Sequence, residues 1–167
     1  MATIAGVLRR PSSHTGVWGW VTTVDHKRIG IMYGISAFTF FLIGGLEAVM
    51  MRIQLMRPDQ AVVSPEVYSQ LFTMHALTMI FLGVMPLSAA FFNLVVPLQI
   101  GARDVAFPRL NALSLWVFLG GAIMLQSGWF LGGSPNAGWF AYAPLTEKSF
   151  NIGNGMDFYV LGLGVLG

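Results

Sequence analysis

The stretch QLFTMHALTMIFLGVMP, Gln70 to Pro86, decides the fold. It lies within a longer run, Tyr68 to Leu98, that contains no Asp, Glu, Lys or Arg. A helix needs ~20 mostly apolar residues to cross a bilayer, so this run is long enough to span and also to tilt or project. Two other runs pass the same test, Ile29 to Met51 and Ala112 to Leu131, and a fourth begins near Phe158. The predicted class is all-α: a polytopic transmembrane helix bundle of three complete spans plus the start of a fourth. The sequence stops at Gly167 inside an apolar stretch. A half-span leaves terminal carbonyls unpaired in lipid, so the chain is expected to be the amino-terminal piece of something longer.

Composition agrees. Of 167 residues, 55% are hydrophobic and 10% are charged, where soluble domains carry about 25% charge. The absence of cysteine excludes disulfides, thiolate zinc sites and iron–sulfur clusters. The net charge of +2 is spread over loops and implies no nucleic-acid partner. Arg9 and Arg10 are followed by polar PSSHTG, which is not a signal-peptide pattern.

Lys and Arg sort by loop. Arg9, Arg10, Lys27 and Arg28 precede the first span, and Arg103 and Arg109 follow the second; Arg57 and Lys148 fall on the other side, with Arg52 at the end of a span. The excess predicts a cytoplasmic amino terminus and second loop. Residues 1–28 form an amino-terminal segment, and 29–167 form one truncated membrane unit. Trp18, Trp20, Tyr68, Trp129, Trp139 and Tyr142 fall near span boundaries, as interface anchors do.

His75 is the only histidine set within a span. An ionisable side chain inside a membrane is costly and points to function, and imidazole is a standard axial ligand for haem iron. The alternative is a core histidine bonded to a neighbouring carbonyl. His75 is expected ~10 Å below the surface, with Arg52 at similar depth on the neighbouring helix; Arg52 otherwise only snorkels to headgroups. His14 and His26 lie on the other face, so a second axial ligand is not expected from this chain. Asn93, Asp104 and Asn111 form a second polar cluster. It suits a water-filled proton entrance, or else Asp104 pairs with Arg103 or Arg109, or serves the amino end of the third helix. Glu47 is expected to pair with Arg52, with proton transfer as the other role. Trp139 and Tyr142 either bond a propionate or anchor the outer loop. Gly162, Gly164 and Gly167 match G-x-G-x-x-G but lack the strand that a dinucleotide site requires. Gly30 and Gly34 suit a close helix contact, and the ten methionines suit packing gaps.

Taken in order, TTVDHKRIGIMY, MMRIQL, FTMHALTMIFLGVMP, NLVVPLQIGARDVAFPRLNALSLW and GWFAYAPL resemble the amino-terminal third of subunit I of haem–copper terminal oxidases, specifically bacterial A-type cytochrome c oxidases. The resemblance covers about Trp18 to Gly167. It implies that His75 is an axial ligand of a low-spin haem a, that Arg52 bonds its formyl group, and that Trp139 bonds a haem propionate. It implies that Asp104 opens a proton pathway with Asn93 and Asn111 as its amides, and that Tyr33 and His26 lie close to its mouth. The family oxidises cytochrome c, reduces dioxygen to water and pumps protons across the bacterial cytoplasmic (inner) membrane. Its partners are a copper-bearing subunit II, subunit III, cytochrome c and the lipid bilayer. The high-spin haem and copper B are expected from residues beyond this sequence. A cation-binding glutamate of some relatives is Gln54 here, so no such site is expected. Four quinol-associated positions read Ile43, Glu47, Val67 and Gln70, of which two depart, so cytochrome c is the expected donor and quinol the alternative. Outside the family, a membrane haem anchor without oxygen chemistry, or a transporter fragment in which His75 and Asp104 relay protons, would fit the same polar residues.

Overall fold

The computed structural model describes residues 16–59 and 61–167; Arg9, Arg10 and His14 lie outside them. Among the described residues, six α-helices and one π-helical segment follow in order: α1 Val17–Val21, α2 His26–Gln54, α3 Pro65–Leu77, the π segment Thr78–Val84, α4 Met85–Gln99, α5 Pro108–Ser127 and α6 Gly155–Leu166. No strand occurs among the described residues. Three continuous helical rods, His26–Gln54, Pro65–Gln99 and Pro108–Ser127, are long and apolar enough to cross a membrane.

Each rod is a little displaced from its sequence-predicted run, because local chemistry sets the ends. The first begins at His26 because Asp25 caps it, accepting from the Lys27 amide at 2.9 Å. The second begins at Pro65, where Ser64 accepts from the Val67 amide at 3.2 Å and proline takes the first helical position. The third begins at Pro108, four residues before the expected start, and ends at Ser127, four before the expected Leu131. Gly128 and a run of turns follow it. His75 sits ten residues, or about 15 Å, from the start of its helix.

The rods pack antiparallel, up and down. For orientation, the end where α2 begins is called proximal and the opposite end distal. Gly30 permits the closest approach of α2 to α4: a Cβ there would lie 2.7 Å from Leu94 Cγ and 3.2 Å from the Ala90 carbonyl. Gly162, in the glycine motif, does the same for α6 on α5, where a Cβ would meet the Leu125 backbone at 3.1 Å. These glycines serve helix contact and form no nucleotide loop. The core is Ile29, Tyr33, Met74, Leu77, Leu82, Leu115 and Leu125, while Phe38, Leu46, Phe92 and Ile123 stay exposed on the rods, as lipid-facing side chains do. Replacing Gly30 with leucine is expected to lower the melting temperature of the detergent-solubilised protein, because overpacking costs about 1–3 kcal/mol; an unchanged melting curve would show that α2 and α4 do not meet there.

The π segment changes the geometry of the central rod. His75 and Asn93 are eighteen positions apart, five full α-helical turns, so an unbroken α-helix would aim both side chains the same way. A π stretch has wider turns. His75 faces the Gly44 carbonyl on α2; the Asn93 Cβ also lies against α2, beside Gly30, and its amide oxygen accepts from Asn111 on α5.

Candidate functional site

The distal site is built around His75. Its Nδ1 lies 2.8 Å from the Gly44 carbonyl oxygen on α2. A carbonyl only accepts, so Nδ1 carries a proton, and Nε2 has no hydrogen-bond partner among the described residues. Close approach is possible because residue 44 is glycine: a Cβ would sit 2.8 Å from Met79 Sδ. This ring is thus oriented by a backbone carbonyl on one nitrogen and left without a partner on the other, the usual condition of a metal-ligating histidine. The residues present fit an axial haem ligand. The alternative from sequence, a histidine bonded to a neighbouring carbonyl, describes the same contact, and the two readings are compatible.

Arg52 is exposed and makes no hydrogen bond or ion pair among the described residues. It lies eight residues, about 12 Å, beyond Gly44 along α2 toward the distal end. The expected Glu47–Arg52 pair does not form. Five residues turn a helix by about 140°, so the two side chains leave α2 on different faces. Glu47 is 6% exposed, and neither carboxylate oxygen has a hydrogen-bond partner. Thr78 and Trp129 approach it without reaching hydrogen-bond geometry. Glu47 lines an apolar groove of about 690 Å³ between α2 and the end of α5, together with Ile43, Met50 and Gln126. Gln126 Nε2 donates to Thr78 Oγ1 at 2.8 Å beside it. Gln54 accepts from the amides of Val62 and Val63, each at 2.9 Å, and closes the loop before α3.

Trp139 lies in the distal loop and is half exposed, as is the more open Tyr142. Its carbonyl accepts from the Tyr159 hydroxyl at 2.7 Å. The Gly138 amide donates to Thr73 Oγ1 at 2.9 Å.

The proximal site gathers three of the four predicted pathway residues. Asn111 Nδ2 donates to Asn93 Oδ1 at 2.6 Å. Ser114 Oγ donates to the Asn111 carbonyl at 2.8 Å, which commits its proton, so Tyr33 donates to Ser114 Oγ at 3.0 Å. His26 Nδ1 donates to the Asn93 carbonyl at 2.7 Å, leaving a buried Nε2 without a partner. Asp104 stays in the loop, half buried, and accepts from the Val105 amide at 2.9 Å. The N-cap position of α5 is Phe107, three residues on, whose own side chain makes no capping bond. Ser114 was not foreseen from sequence; its only signal is its place one helical turn after Asn111.

A bundle of rods long and apolar enough to span a membrane, with a part-buried imidazole distally and a chain of amides and hydroxyls proximally, has the form of a polytopic membrane protein. Residues 28–167 match the family model described as cytochrome C and quinol oxidase polypeptide I, and the chain belongs to that family. It is 54% identical over 151 residues to cytochrome c oxidase subunit 1 of Bacillus subtilis, covering 90% of this chain and 24% of that protein. It is 52% identical over 167 residues to cytochrome c oxidase subunit 1 of Bacillus sp. (strain PS3), covering 100% of this chain and 26% of that protein. It is also 48% identical over 148 residues to quinol oxidase subunit 1 of Bacillus spizizenii, covering 89% of this chain and 23% of that protein. The chain spans about a quarter of the length of these relatives.

Proposed function

We propose that this chain is the amino-terminal part of the catalytic subunit of a terminal respiratory oxidase that passes electrons from cytochrome c to dioxygen and pumps protons. The observation that carries the reading is the His75 ring, fixed through Nδ1 by Gly44 and presenting Nε2 as a base within an apolar rod. A bound haem a would supply one-electron redox chemistry there. His75 would hold its iron, Arg52 would donate to its formyl group, and Trp139 would donate to a haem propionate. A cation beside the macrocycle favours the reduced state. The high-spin haem and copper B belong to the rest of the subunit.

In this proposal Asp104 receives protons at the proximal end, and Asn93, Asn111 and Tyr33 order the polar path beyond it. The amides bind and orient water, and do not themselves ionise. The proximal end faces the cytoplasm, which puts residues 1–28 there and leaves 29–167 as the membrane unit in the bacterial inner membrane. Subunit II, subunit III and cytochrome c are the proposed partners.

One observation favours quinol as the donor instead. Glu47 presents an unpartnered carboxylate to an apolar groove, which suits a quinol hydroxyl on an isoprenoid tail. Ile43, in the same wall, offers such a head nothing polar, and Val67 is apolar too, so cytochrome c is the preferred donor. Purified complete oxidase is expected to turn over with reduced cytochrome c and to be unaffected by Glu47→Gln. Oxygen consumption with menaquinol alone, lost in Glu47→Gln, would reverse the assignment.

A further inference from the structure

We propose that Thr73 and Tyr159 are positioning residues that fasten the peptide of Trp139 so that its indole is presented to a bound cofactor. This rests on the reading of Trp139 as a donor to a haem propionate. The two bonds bracket Trp139: the amide just before it donates to Thr73 Oγ1, and its own carbonyl accepts from Tyr159. The two anchors come from different helices, α3 and α6. Thr73 is 0% exposed and Tyr159 7%; the bond to Thr73 is buried and the bond from Tyr159 part-buried. Thr73 is fully used, because its hydroxyl also donates to the Ser69 carbonyl at 2.8 Å. The indole, by contrast, belongs to a residue that is 48% exposed. The backbone is held and the side chain is left open.

The loop conformation needs such a clamp. Gly138 has φ 72° and Ala141 φ 46°, and an alanine in the left-handed region persists only where its surroundings over-determine it. A Cβ on Gly138 would lie 2.6 Å from Phe140 Cζ, so the turn leading into Trp139 also depends on glycine. Thr73 is two residues from His75, so the clamp ties the distal loop to the same helix turn that carries the proposed iron ligand.

The test uses the complete oxidase with Thr73→Val, Tyr159→Phe and their combination, with Thr73→Ser as the conservative replacement and Trp139→Phe as the reference. Hydrogen exchange over residues 137–142 is expected to quicken about tenfold in Thr73→Val and in Tyr159→Phe, the worth of one hydrogen bond, and to stay at the wild-type rate in Thr73→Ser. Haem midpoint potentials in the double variant are expected to shift in the same direction as in Trp139→Phe, with haem content unchanged. A shift in Trp139→Phe but none in the double variant overturns the positioning role and leaves the Trp139 reading standing. No shift in either overturns both, as does general haem loss without a shift. If the double variant does not assemble, Tyr159→Phe alone, which removes one hydroxyl, decides by the same criteria.

Discussion

Replacing His75 with alanine is expected to abolish the low-spin haem band in reduced-minus-oxidised spectra of the complete oxidase. Among the described residues of the distal half, alanine removes the only imidazole, one that the backbone orients through Nδ1. It also removes one of the two hydrogen bonds to the Gly44 carbonyl, which keeps its bond within α2, a loss of about 1 kcal/mol that is modest against the packing of α2 on α3 and α4. The protein should therefore assemble while the band is lost. Any haem elsewhere in the subunit should stay. Spectra indistinguishable from wild type would reject His75 as the ligand, and loss of all assembly would be separated from ligand loss by His75→Gln, whose amide can still donate to Gly44.

The second large effect is expected from Asp104→Asn. Asparagine keeps a side-chain oxygen that can accept from the Val105 amide, so the loop should keep its shape. It removes the ionisable proton. Turnover and proton uptake should fall on the order of a hundredfold, the lower end of what a positioned proton-transfer group supplies, with haem content intact. If turnover and pumping both survive, Asp104 only shapes the loop, which is the second of the roles its position allowed.

How much of this was legible depended on the kind of signal. The spans were plain because Tyr68 to Leu98 carries no formal charge, and a bilayer admits few alternatives to a helix for such a run. Their ends were less plain because Asp25, Ser64, Pro65 and Pro108 act at the polar boundary, where hydrophobicity no longer discriminates. The π segment leaves no mark in the residues TMIFLGV, and the meeting of Asn93 with Asn111 depends on how two helices pack. Gly44 could not be foreseen as a partner of His75, since its contribution is a backbone oxygen that every residue possesses. Proximity in sequence misled at Glu47: five positions from Arg52 looks close on the page and is nearly opposite on a helix. The polar residues Asn93, Asn111 and Tyr33 were recognisable one by one, but their connection through Ser114 is a property of three helices packed together.

Density around His75 in the complete, purified oxidase tests the account most directly. A porphyrin iron within bonding distance of Nε2, with Nδ1 still donating to Gly44, is the predicted result. An imidazole enclosed by protein on both sides, its Nε2 bonded to another residue and no macrocycle beside it, would contradict the assignment on which the proposed function stands.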